Sequence, residues 1–144
     1  MDFSEFRVPV VEGVLNMGAV HVTTAVSNPT DPERRWEGLF LVETGAIDCY
    51  VPGRRLREIG IEPVGTRSFE LADGTEVGLE IGGARIEFMG EVVGATAIFG
   101  NDDAEPLSGV VALESVGIEV DPQNQRLKRR PAVRLKRLRG LRPK

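Results

Sequence analysis

Histidine and cysteine are nearly missing from this chain: His21 and Cys49 are the only residues of their kinds among 144. A lone cysteine excludes an internal disulfide. One histidine with one cysteine leaves no soft-ligand set for zinc, so no metal is expected. A Ser-His-Asp or Cys-His site would have to pass through His21. His21 lies in the alternating run VHVTTAV, and no serine has a G-x-S-x-G setting, so a structural or surface role is expected for it. IGGAR, residues 81–85, lacks the G-x-G-x-x-G spacing of a phosphate loop and precedes no helical pattern. No cofactor is therefore expected. No apolar run reaches the roughly 18 residues of a membrane span. The opening MDFSEFRVPVVEG has no basic stretch before an apolar one, so no signal peptide is expected. A cytoplasmic protein is the resulting expectation.

What is present reads as one β-dominated domain. A length of 144 suits a single core, and 41% apolar residues are enough to build one. Seventeen glycines and nine prolines punctuate the chain into short segments. Charge is unevenly distributed. The net is −4, yet residues 126–144 hold ten basic residues and no acid, which leaves residues 1–125 at −14. An acidic body, residues 1–127, therefore carries a basic tail, residues 128–144.

Residues 8–15 and 19–26 alternate or cluster β-branched and apolar residues and are expected to be strands. SNPTDPERRWEG, residues 27–38, with two prolines, is expected to be a polar loop. LFLV at 39–42 reads as a buried strand that delivers ETGA at 43–46. Residues 51–61 hold one short helix, with Pro52 near its start and Gly60 at its stop. Residues 67–80 form a hairpin, for which Asp73-Gly74 predicts a two-residue type I′ turn. A second hairpin turns at Met89-Gly90. A helix over about 110–116 leaves at Gly117 into a strand at 118–121, DPQNQ turns, and a last segment begins at Leu127.

Three features fall in one order: F-L-V-E-T-G-A at 40–46, the Asp73-Gly74 hairpin about 30 residues on, and P-L-S-G-V-V-A-L-E-S-V-G-I-E-V-D-P at 106–122. This order resembles that of the retropepsin-like (clan AA) aspartic proteases of the small prokaryotic type, over roughly residues 18–127. The resemblance implies an all-β fold, a closed barrel with one or two short helices, working as a homodimer. It implies that Glu43, Thr44 and Gly45 form the catalytic loop. Each subunit brings one acid-Thr-Gly loop, so a carboxyl pair requires two copies meeting on a two-fold axis. Such a pair holds a water; one carboxylate acts as base while its protonated partner polarises the peptide carbonyl. Gly45 lets the backbone approach that water, and Thr44 bonds across to the partner loop. Ala46, Asp48 and the hairpin tip, Ala72, Asp73, Gly74 and Thr75, would contact an extended peptide or protein substrate, the hairpin serving as a flap.

The match departs from the family at several positions. Glu43 stands where the family has Asp. The extra methylene displaces each carboxylate by about 1 Å, and misplacement of that size can cost on the order of 100-fold in rate. Two readings stay open: an endopeptidase weakened or inactivated by Glu43, and a non-catalytic dimer that binds peptide or protein in the same cleft. Ile47 lies where retroviral members have a substrate-binding acid, and the resemblance makes Asp48, next in sequence, a candidate for that role. Ser108 replaces an apolar residue before Gly109, and Val110 stands where retroviral members carry Arg. Cys49 is either a buried small hydrophobe or an oxidation-sensitive thiol. Three roles fit the basic tail: a solvated end, a strand docked on the acidic body or the other subunit, and a contact with nucleic acid or a membrane surface. It lacks aromatic residues for base stacking, which disfavours the nucleic-acid role.

Overall fold

The structure, a computed structural model, describes residues 5–7, 19–121, 123–124 and 126–130. The strand expected over 8–15 and the tail beyond residue 130 lie outside the described residues. Within them the order is β1 (Glu5–Arg7), β2 (His21–Asn28), β3 (Asp31–Val42), β4 (Cys49–Pro52), α1 (Gly53–Glu58), β5 (Gly65–Glu70), β6 (Glu76–Phe88), β7 (Glu91–Gly100), β8 (Leu107–Ser108), α2 (Val110–Ser115), β9 (Ile118–Asp121) and β10 (Arg126–Arg129). The expected β-dominated chain with two short helices is what forms. No helix among the described residues is long and apolar enough to cross a membrane.

Seven strands make one sheet in the order β2-β3-β8-β4-β7-β6-β5, and an added pairing of β2 with β6 closes it into a barrel. The closing rungs are Ala25↔Glu87, Val26↔Ile86 and Ser27↔Arg85. Closure removes the edges that an open sheet leaves unpaired. β5 stays outside the ring, attached to β6 alone.

Period-2 alternation sets which side chains fill the barrel. Along β6 it buries Gly82, Ala84, Ile86 and Phe88, while residues between them stay accessible. Phe40 and Val42 on β3 join Val22, Val26, Val51, Leu56 and Phe99 in the same core. A fully buried aromatic such as Phe40, at 0% exposure, contributes about 3–5 kcal/mol against its truncation to alanine.

Two expectations about turns are corrected. Residues 27–38 are not a loop. β2 runs into a turn at Pro29-Thr30 and β3 returns from Asp31, paired as Val26↔Trp36 and Asn28↔Asp31 with a register shift between Ser27 and Asn28. The Asn28 side-chain oxygen accepts from the Thr30 amide at 2.9 Å and its hydroxyl at 2.8 Å, fixing the turn. Pro32 is tolerated because it falls in that register shift, between the rungs Ser27↔Arg35 and Asn28↔Asp31, where its missing N–H costs no ladder bond. The 67–80 hairpin forms, but not on a two-residue turn. β5 and β6 end at Glu70↔Glu76, leaving residues 71–75 as the loop. Leu71 and Thr75 close it with a 2.8 Å bond, and the Gly74 amide donates to the Leu71 carbonyl at 2.9 Å. Only Gly74 has positive φ, +87°, which marks a wider turn with a left-handed glycine. The type I′ signature lies instead at Met89 (φ 51°) and Gly90 (φ 77°), between Phe88 and Glu91.

The expected helix at 51–61 is α1. Pro52 occupies its N-cap and Gly60, at φ +83°, follows its end. Its last carbonyls are taken by side chains from the β2–β3 hairpin: Asn28 donates to Ile59 at 3.0 Å and Arg34 to Glu58 at 3.1 Å. A second, three-stranded sheet, β1-β10-β9, brings the two ends of the described chain together. β10 carries the ladder through Arg129, and the Arg130 amide donates to the Gly117 carbonyl at 2.8 Å, so the sheet continues past Leu127 into the first basic residues of the tail.

Candidate active site

The acid-Thr-Gly loop leaves the barrel at the end of β3. Phe40 and Val42 point into the core and anchor it, and Glu43, Thr44 and Gly45 emerge exposed. The loop is clamped against the β8–α2 turn by main-chain bonds. The Glu43 amide donates to the Ser108 carbonyl at 3.0 Å, the Val110 amide to Ala46 at 2.9 Å, and the Val111 amide to Ile47 at 3.2 Å. The Ala46 amide closes the turn on the Glu43 carbonyl at 3.1 Å. Gly109 makes this contact sterically feasible. A β-carbon there would lie 2.4 Å from the carbonyl oxygens of both Ile47 and Asp48.

Glu43 folds back within its own loop: its Oε1 accepts the Gly45 amide at 3.0 Å. The extra methylene of glutamate is thus absorbed by a short local ring that aims one oxygen at Gly45. A β-carbon on residue 45 would sit 3.2 Å from that oxygen, so glycine keeps the approach open.

Of the proposed substrate contacts, Ala46 is half-buried within the loop, and Asp48 is largely enclosed and paired with Arg67 on β5 at 3.4 Å. Sequence reasoning missed Arg67. It lies 19 residues from Asp48, in a strand whose spacing carries no sign of the contact. The pair ties the base of the β5–β6 arm to the loop that carries Glu43. The arm itself projects: residues 76–80 of β6 pair only with β5, and β5 is exposed along nearly its whole length. At its tip Ala72, Asp73, Gly74 and Thr75 are all exposed. The Asp73 carboxylate is held below the ordinary aspartate range by the Thr75 side chain and then by the Thr75 amide, which donates at 2.9 Å. Glu70 and Glu76 face each other across the last rung, a like-charge pair that costs a fraction of a kcal/mol.

Cys49 is buried at 1% exposure, packed in the core beside Ser108 and Gly109. Burial pushes its thiol up, against weaker opposing effects of the Gly109 backbone and the Ser108 hydroxyl, so the small-hydrophobe role applies. His21 is buried and paired with Glu105 at 3.0 Å, a structural contact. Among the described residues no group of three or more His, Cys, Asp or Glu is placed to hold a metal.

No family model and no curated protein sequence matches this chain. Solved structures do. EIAV protease, in complex with an inhibitor, superposes with a TM-score of 0.53 at 12% identity, covering 78% of this chain and 99% of that one. A retropepsin-like aspartic protease from Rickettsia conorii gives a TM-score of 0.56 at 16% identity, covering 85% and 87%. At these identities the likeness establishes architecture: the barrel, its projecting arm and its clamped acid-Thr-Gly loop constitute a retropepsin-like fold.

Proposed function

We propose that the chain is an aspartic-type endopeptidase scaffold that acts as a homodimer, with Glu43 of each subunit forming the acid–base pair. The observation that carries this reading is the exposed Glu43-Thr44-Gly45 loop, fixed on a rigid strand by bonds to the β8–α2 turn. Two such loops meeting on a two-fold axis supply two carboxyls, which share one proton because both cannot ionise at close range. The ionised member takes a proton from the held water. The water oxygen attacks the peptide carbonyl carbon, and the other carboxyl protonates the carbonyl oxygen. Collapse breaks the C–N bond, and the leaving nitrogen takes up the proton.

The β5–β6 arm would serve as the flap, closing its 72–75 tip on an extended peptide whose main chain bonds to both arm and loop. Ile47, 66% exposed in the loop that follows Glu43, and Leu71, 47% exposed at the arm, offer apolar contacts to such a peptide. Asp48 would bind the peptide main chain only by sharing its carboxylate with Arg67. Because Glu43 replaces aspartate, turnover is expected to be slow. The second reading, a non-catalytic dimer that binds peptide or protein in the same cleft, draws on the turn of Glu43 onto its own Gly45 amide.

A peptide library exposed to the wild type and to Glu43→Asp, from acidic to neutral pH, tests these readings. Cleavage by the aspartate form, at least about 100-fold faster than by the wild type, supports the peptidase. Binding without turnover by both forms favours the non-catalytic reading.

A further inference from the structure

An apolar groove of about 510 Å³ opens beside the acid-Thr-Gly loop. Thr44, Val110 and Leu113 of α2 and Val120 of β9 line it, together with the carboxylate residues Glu114 and Glu119. β9 pairs with β10 along one edge, and no described strand pairs with its other edge. A free strand edge beside an apolar trough is a setting for an added extended segment.

The chain itself leads into this groove. Arg130, bonded to the Gly117 carbonyl and ion-paired with Glu119, is part of its lining. Fourteen residues follow, PAVRLKRLRGLRPK, with six basic side chains and no acid. Fully extended they reach roughly 46 Å, more than enough to follow β9 and pass Thr44. Val133 and Leu135 alternate with Arg134 and Lys136, so an extended segment there presents apolar residues to one side and cations to the other. That pattern matches a groove lined by Val110, Leu113 and Val120 together with Glu114 and Glu119, the latter already paired with Arg130 of the same basic segment. Tethering favours this occupant over a free peptide, because a segment that directly follows Arg130 is held at an effective concentration of the order of millimolar.

We propose that residues 131–141 dock in their own chain's groove against β9 and α2, covering Thr44. Docking of the tail and face-to-face pairing of two Glu43 loops then compete for one surface, so the tail opposes self-association and releases as salt screens its contacts with Glu114 and Glu119. The docking stands on the groove and the charge pattern; only its effect on pairing rests on the function proposed above.

The lysines are Lys128, Lys136 and Lys144, all in the last seventeen residues, which makes zero-length carbodiimide cross-linking of the full chain selective. The 4.0 Å Lys128–Asp121 contact provides an internal reference for the folded state. The expected product joins Lys136 to Glu114 or Glu119 within one chain, shown by mixing isotopically light and heavy protein. Val133→Asp with Leu135→Asp should remove that link, preserve Lys128–Asp121, and tighten self-association at least about tenfold by sedimentation. Lys136 linked equally to arm acids such as Glu70 and Glu76, a link that survives the double substitution, links only between differently labelled chains, or no Lys136 link beside an intact Lys128–Asp121 link would each overturn the docking. Loss of the link without tighter self-association would overturn the competition. A protein that keeps the Lys136 link yet never self-associates would fail as a paired-loop peptidase while leaving the docking intact.

Discussion

The Asp48 carboxylate lies 3.4 Å from the Arg67 guanidinium, joining the loop that carries Glu43 to the arm that projects above it. Arg67 is half exposed, so the pair contributes at most about 1 kcal/mol to global stability. Its effect is local, because β5 has no other strand than β6 to hold it. Arg67→Ala is expected to change the unfolding midpoint little while accelerating amide exchange across residues 65–79, as measured by hydrogen–deuterium exchange. Unchanged exchange there would separate the arm from the loop.

Gly109 bears the tightest backbone approach around the loop. Gly109→Ala forces its β-carbon against the Ile47 and Asp48 carbonyls at 2.4 Å, so the backbone must shift. A loss of about 1–3 kcal/mol is expected in denaturant titration. In the Glu43→Asp background, cleavage should fall on the order of 100-fold, since a displacement of about 1 Å suffices. Gly83→Ala, where the added carbon meets nothing within 4 Å, is the control and should be tolerated.

Leu127 has 0% exposure and joins the barrel core from β10. Leu127→Ala should therefore cost about 2–5 kcal/mol, whereas Lys128→Ala, exposed on the same strand, should stay within about 0.5 kcal/mol. Thermal and denaturant melts read both. Equal, small effects would detach the β1-β10-β9 sheet from the core.

Much of this architecture is legible in the residues, and the exceptions share a cause. LFLV before ETGA, Pro52 and Gly60 around α1, and Met89-Gly90 all act locally, through alternation or backbone preference, and the structure places them as the sequence predicts. Residues 27–38 misled because two prolines outweighed a strand that needs only one neighbour; the cross-strand pair Val26↔Trp36 decides it. Asp73-Gly74 carries the hairpin dipeptide, yet only the glycine takes positive φ, because the strands end at Glu70↔Glu76 and the dipeptide lies within a five-residue loop. The parallel pairing of Leu41 with Leu107, the closing rung of Val26 with Ile86, and the Asp48–Arg67 pair leave no trace at any fixed spacing. They are consequences of closure, and the clamp on the candidate site depends on them.

Asp121 gives the fold a sensitivity to acid. Its carboxyl is held below the ordinary aspartate value of about 3.8, first by the Asn124 side chain, then by the Asn124 amide, Arg126 and Lys128. A depressed folded-state value means that the stabilisation is complete above the unfolded-state value and is lost as pH falls through the lower, folded one. Wild type and Asp121→Asn should therefore differ in melting temperature at neutral pH, begin to converge as pH falls through about 3.8, and coincide only below the lower, folded-state value. A difference that persists at the acid end would place the contribution of Asp121 elsewhere.

The proposed catalytic centre is made by two chains. This is tested most directly by mixing Glu43→Asp protein with increasing amounts of Glu43→Ala protein, and measuring peptide cleavage per aspartate chain. Shared carboxyls predict that activity falls as mixed dimers form, approaching zero with excess alanine chains, and that dilution lowers it further. Cleavage per aspartate chain that stays constant through the mixing series would rule out a centre shared by two chains.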